Sequence, residues 1–150
     1  MFTKILYPTD FSEKSRHALE VVKKLKEAGT KTVVVFHCID IREVNTMAEM
    51  EGFSSLQYEN IVDEIHEELK RKATKEMTGI TKELRDLGFI VEERLPDGIP
   101  FREIIETAKK EKIDAIVIGS TGKGLLSEML LGSTSEKVVR EAECPVIVVK

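Results

Sequence analysis

The chain contains no tryptophan, and only two cysteines and four prolines among 150 residues. Cys38 and Cys144 stand far apart, in no metal-like spacing, and a disulfide is not expected between them in a reducing cytosol. His17, His37 and His66 are equally dispersed, so no metal site made of protein side chains alone is expected. No apolar run approaches the roughly 20 residues that span a bilayer. The opening Met1-Phe-Thr-Lys-Ile-Leu-Tyr7 turns polar too soon for a secretory signal, which leaves a cytoplasmic location as the default expectation. A net charge of −4 lacks the basic excess that the nucleic-acid backbone calls for, so a nucleic-acid partner is not expected. What is present, 41% hydrophobic and 33% charged residues over 150 positions, suits one globular domain covering 1–150.

Strand-like and helix-like segments alternate along the chain. Lys4 to Tyr7 is a short apolar strand that stops at Pro8. From Ser12 to Ala28, the residues Ala18, Leu19, Val22, Leu25 and Ala28 keep helical spacing, and Gly29 terminates it. Thr32 to Ile39 reads as a buried strand, while Asp40 to Ser55 shows no clean period and is expected to be a loose excursion with a helical turn at most. Val62, Ile65, Leu69, Ala73, Met77, Ile80, Leu84 and Leu87 then recur every three or four positions. They predict an amphipathic helix of roughly 30 residues, about 45 Å long, closed by Gly88. Phe89 to Arg94 is a strand, Pro100 to Lys110 a helix, Ile113 to Ile118 a strand, Ser135 to Ala142 a helix and Val146 to Val149 a last strand.

Such alternation, with apolar runs suited to strands covered on both faces, predicts an α/β fold with a doubly wound five-stranded parallel sheet. Right-handed crossovers give the strand order 3-2-1-4-5. Strands 1 and 4 are then neighbours whose chains depart in opposite directions, and a ligand is expected in the crevice beyond their C-terminal ends. Both ends carry suitable residues. Strand 1 ends in Pro8-Thr9-Asp10-Phe11-Ser12, and strand 4 runs into a glycine-punctuated segment at Gly119, Gly122 and Gly132. The end of strand 2, with His37, Cys38 and Asp40, would border the same crevice.

Glycine lets a backbone approach a ligand closely, and a helix start offers unpaired N–H groups to an anion. A strand, a glycine loop and a Gly132-Ser133-Thr134 helix start therefore suit the phosphates of a nucleotide. Plainer roles fit some of these residues: Asp10 with Glu13, and Ser133 with Glu136, each match a capping box. The Walker pattern is not met, because Gly124 follows Gly122-Lys123 and the loop follows the fourth strand. The dinucleotide fingerprint after the first strand is missing as well.

The spacing Gly119-x2-Gly122-x9-Gly132-Ser133 resembles the Gly-2x-Gly-9x-Gly-Ser/Thr signature of the ATP-binding universal stress proteins. The opening Lys4-Ile-Leu-Tyr-Pro-Thr-Asp-Phe-Ser12 and the ending Cys144-Pro-Val-Ile-Val-Val149 are similar to that family's first strand and last strand. The resemblance implies the Rossmann-like, adenine nucleotide alpha hydrolase-like fold and a bound ATP. Pro8, Thr9 and Asp10 would line the adenosine side, with the Asp10 carboxylate on the ribose hydroxyls. The backbone at Cys38 would meet the adenine edge, and Gly119 would pass close to the ribose. Thr121, Gly122 and Lys123 would approach the phosphates from one side, and Gly132, Ser133, Thr134 and Ser135 would cradle them. Mg or Mn would be held mainly through the phosphates. A homodimer through the apolar edge strand Val146 to Val149 is also implied.

No general base, arginine finger or acidic pair is assigned by the motif, so no catalytic residue is named. The leading expectation is a nucleotide-dependent regulatory module of the stress response, with at most slow ATP hydrolysis and a protein partner the sequence does not name. The alternatives are an adenylating or ATP-hydrolysing enzyme of the same fold, or a nucleotide-free dimeric interaction protein.

Overall fold

A computed structural model describes residues 1–50, 52, 55–120 and 131–150. Its elements run β1 (Lys4–Pro8), α1 (Glu13–Lys24), β2 (Thr32–Phe36), β3 (Ile39–Asp40), α2 (Ile41–Met50), α3 (Ser55–Asp86), β4 (Ile90–Arg94), β5 (Asp97–Gly98), α4 (Pro100–Lys110), β6 (Ala115–Gly119), α5 (Ser133–Glu141) and β7 (Val146–Val149). The main sheet has five strands in the order β4-β2-β1-β6-β7, all parallel. Counted by its long strands alone, this is the expected 3-2-1-4-5 order.

Alternation along each strand divides the core in two. Ile5, Tyr7, Val33, Val35, Val91, Ala115 and Val117 face α1 and α3, where Ala18, Leu19, Val22, Met77 and Leu84 meet them. Leu6, Val34, Phe36, Ile116 and Ile118 face α4 and α5, against Ile104, Ala108 and Val138. Val33, Val34 and Val35 are each fully buried, as consecutive residues can be only when both faces are covered. The terminating glycines take left-handed angles, φ 96° at Gly29 and 89° at Gly88.

Three expectations need correction. The second strand does not run through to Ile39. Thr9 N–H donates to Phe36 O at 2.8 Å, after which the β1 chain turns away into α1 and leaves β2 with one neighbour. His37 and Ile39 N–H groups follow that neighbour, donating to Arg94 O and Pro96 O, and β3 pairs with β5 in a separate two-stranded sheet. The Asp40 to Ser55 stretch is largely helical. Only Val44 and Ala48 of α2 are buried, while Ile41, Met47 and Met50 stay exposed, so its apolar stripe is too narrow to yield a period. The helix caps are also displaced from the capping-box positions: Ser12, not Asp10, caps α1, and Gly132, not Ser133, precedes α5.

The edge strand β4 is fastened by charge. Arg94 forks onto Glu111 at the end of α4, Nε to Oε2 at 2.9 Å and Nη2 to Oε1 at 2.6 Å, and Lys4 Nζ lies 3.6 Å from the same carboxylate. Burial works against the Glu111 charge, but Arg94 and Lys4 outweigh it and hold the carboxyl below its usual range. A lowered native value contributes stability that is full above the ordinary glutamate value of about 4.3 and is lost as pH falls through the lowered one. Glu111→Gln is therefore expected to cost about 0.5–1 kcal/mol in urea unfolding at pH 7. The gap from the parent should close as the pH is taken down through the acidic range.

Candidate functional site

β1 and β6 are hydrogen-bonded neighbours, with Ile5 opposite Ala115 and Leu6 opposite Ile116, so their C-terminal tips lie side by side. At the β1 tip the chain folds back on itself through Thr9. Its Oγ1 donates to Ser15 Oγ at 3.0 Å and accepts from Phe11 N–H at 3.0 Å. Phe11 sits at φ 64°, a left-handed angle that a bulky residue takes only under constraint. Part of that constraint is His37. Its ring centroid lies 4.5 Å from that of Phe11, and its Nδ1 donates to Thr9 O at 2.7 Å. Asp10 is half-buried, and its Oδ1 accepts from Ser12 N–H at 2.9 Å, which fixes the carboxylate at the mouth of the turn. Tyr7 donates its hydroxyl to Ser15 O at 2.7 Å, and burial pushes its pKa up to about 12. It is a permanent donor, not an acid.

The β6 tip meets the same first turn of α1. A Cβ on Gly119 would lie 2.8 Å from Lys14 C and 2.9 Å from Ser15 N, distances that no side chain occupies. One strand away, α5 begins over this point. Ser135 Oγ donates to Gly119 O at 2.7 Å, and Gly132 N–H donates to Ser120 O at 2.8 Å. Gly132 makes no side-chain cap bond, and its angles, φ −63° and ψ 157°, are ordinary extended backbone. The first N–H groups of α5 have no partner within the helix, as at any helix start.

Of the residues expected at the site, Pro8, Thr9, Asp10, Gly119, Gly132, Ser133, Thr134 and Ser135 gather here, linked through Ser15 and Gly119. Two of the expected hydroxyl donors are engaged within the protein: Thr9 to Ser15, and Ser135 to Gly119. Cys38 is buried beside them on the β2 side, its Sγ donating to Ile39 O at 3.6 Å. Burial, then Glu103, Asp40 and Asp97, push that thiol up to about 12, so it is no nucleophile. Asp40 is turned to Arg42, Oδ1 to Nε at 2.9 Å and Oδ2 to Nη2 at 2.8 Å. Thr121, Gly122 and Lys123 lie outside the described residues. Among the described residues, no group of three or more His, Cys, Asp or Glu is placed to hold a metal ion.

The sequence reading missed Tyr7, Ser12 and Ser15 as parts of the site. Tyr7 reads as one more apolar strand residue, and Ser15 as a solvated helix position. Their roles come from bonds across the β1–α1 turn, Tyr7 and Thr9 to Ser15 and Ser12 to Ser15, which no periodicity records.

The model of the universal stress protein family matches residues 1–150. The chain belongs to that family. Among universal stress proteins it is 43% identical to MJ0577 of Methanocaldococcus jannaschii, the alignment covering 100% of this chain and 96% of the relative. The solved structure of the hypothetical protein MJ0577 superposes with a TM-score of 0.86 at 41% identity, again over 100% and 96% of the two chains. A universal stress protein from Archaeoglobus fulgidus, solved in complex with dAMP, shares the fold at a TM-score of 0.63 and 21% identity, over 100% of both chains.

The contact at Gly119 gives a direct test. Gly119→Ala places a methyl against the α1 backbone, which can yield only if the helix shifts, and is expected to destabilise the protein by about 1–3 kcal/mol in urea or thermal unfolding.

Proposed function

We propose that this universal stress protein binds ATP in the crevice between the β1 and β6 tips and acts as a nucleotide-dependent regulatory module, a molecular switch of the stress response with at most slow hydrolysis. One observation carries the reading. A nine-residue helix, α5, begins on an uncapped glycine directly over the strand tip, with its first N–H groups directed outward from the helix start. This is a donor set for an anion, and the positive end of the helix dipole favours one there.

In this reading Pro8, Thr9 and Asp10 line the adenosine side, with the Asp10 carboxylate accepting from ribose hydroxyls. The backbone at Cys38 takes the adenine edge, and Gly119 passes the ribose. Gly132, Ser133, Thr134 and Ser135 hold the phosphates, Ser135 through its N–H because its hydroxyl is spent on Gly119 O. Thr121, Gly122 and Lys123 complete the seat. Mg or Mn rides on the phosphates, supplying charge neutralisation there. The dAMP complex of the Archaeoglobus fulgidus neighbour supports an adenine nucleotide as the ligand class. The protein works in the cytoplasm as a homodimer joined along β7, which pairs with β6 on one side and is the last strand of the sheet on the other. It also acts through a protein partner.

Titration calorimetry with ATP and magnesium tests the binding, and phosphate and pyrophosphate release test the chemistry. Binding with turnover far below the roughly 1–1,000 per second typical of enzymes is expected. Pyrophosphate release onto an acceptor would make the protein an adenylating enzyme, and no binding would make it an interaction protein. Gly132→Val is expected to abolish ATP binding, because φ −63° is an angle valine can adopt but a branched side chain would stand at the helix start where the phosphates are held; circular dichroism and thermal unfolding of the variant check that its fold is kept. Sedimentation should give twice the 16.9 kDa mass of the chain.

A further inference from the structure

Thr9, Asp10 and Phe11 form a three-residue corner where the chain leaves β1 for α1, and both ends of that corner meet one side chain from elsewhere. His37 Nδ1 donates to Thr9 O at 2.7 Å, and its ring centroid lies 4.5 Å from that of Phe11, with the planes 31° apart. A carbonyl only accepts, so this bond keeps a proton on Nδ1. His37 is itself anchored, its N–H donating to Arg94 O at 3.0 Å where the chain passes from β2 towards β3. The corner is thus clamped by a residue outside the segment that forms it.

The clamp has something to resist. Phe11 stands at φ 64°, an angle that is unfavourable for a bulky residue and persists only where the surroundings over-determine it. The Thr9 end is secured without His37, because its N–H donates to Phe36 O and its hydroxyl to Ser15 Oγ. The Phe11 end is only half-buried. Without the imidazole, Thr9 O loses this donor and Phe11 loses its ring neighbour. The relaxation then open to the corner is rotation of Phe11 towards negative φ. That rotation moves Asp10 relative to Ser12, whose N–H now fixes the Asp10 carboxylate at 2.9 Å.

We propose that His37 is a positioning residue for the nucleotide: it holds the corner in the conformation that presents the Asp10 carboxylate to the ribose, and it acts through Asp10. The assignment rests on the ATP reading above and extends it to a residue that neither the glycine spacing nor the strand-tip contacts include. Its effect is on a population. A site whose competent form is present only part of the time binds with an affinity reduced by that fraction.

Two substitutions separate the two contacts. His37→Phe keeps a ring beside Phe11 and removes the donor, and His37→Asn keeps an N–H donor near the Nδ1 position and removes the ring. ATP is titrated against the full chain as the parent, as each of these variants, as Asp10→Ala, and as His37→Phe combined with Asp10→Ala. Each His37 variant is expected to weaken ATP binding about threefold to tenfold, the loss when the competent corner falls to roughly a third or a tenth of the molecules. In the Asp10→Ala background, His37→Phe should change the affinity by less than about twofold, because the group it positions is gone. A merely structural role would give the same loss with or without Asp10, and that result overturns the assignment. Unchanged ATP affinity in both His37 variants, or in Asp10→Ala, overturns it as well while leaving the ATP site standing. If neither His37 variant folds, as read by circular dichroism, the imidazole is an element of the fold and the assignment is again lost. If the parent protein itself binds no ATP, the nucleotide reading and the assignment fall together.

Discussion

Covering both faces of one parallel sheet governs this molecule. Strands as apolar as Thr32–Phe36 must be sealed on each side, and parallel neighbours can be joined only by crossovers that carry a helix to one side or the other. The chain settles α1 and α3 on one face and α4 and α5 on the other. The change of winding falls between β1 and β6, where no connection crosses over the strand ends. The crevice there follows from the way the core is covered, before any ligand is considered.

The walls of that crevice are rigid for local reasons. Thr9, Ser12 and Ser15 form a short relay of hydroxyls that sets where α1 starts, and His37, just past the end of β2, braces the strained Phe11. On the far wall, Ser135 and Gly132 tie the start of α5 to Gly119 and Ser120. The described groups are donors and a single fixed carboxylate. The one thiol is protonated by burial and the one phenol is locked onto a backbone carbonyl. Such a set can hold and orient an anion.

Much of this was legible in the sequence because it rests on periodicity. The long stripe from Val62 to Leu84 specified α3, and the unbroken apolar runs of β2 and β6 specified buried parallel strands, which together fixed the strand order and the crevice. The site was legible to the extent that it sits at strand ends and helix starts. What escaped depended on three-dimensional neighbours. Two buried residues, Val44 and Ala48, make too faint a stripe to reveal α2, whose cover comes from Val62, Ile65 and Leu69 of α3. The split of β2 from β3 depends on β1 leaving the sheet, which no local pattern within Thr32 to Ile39 records. Ser12 outcompetes Asp10 as the α1 cap because the Asp10 carboxylate is already bound to the Ser12 N–H.

The close approach at position 119 bears on how the glycine signature should be read in other chains. An added carbon there meets main-chain atoms of α1, which belong to the architecture whether or not anything occupies the crevice. A descendant that had abandoned nucleotides would still be held to glycine at this place by the packing of its first helix. At 132 the backbone angles are ones that any residue adopts. Drift away from glycine there, with 119 kept, is the trace that a lost ligand would leave in a lineage.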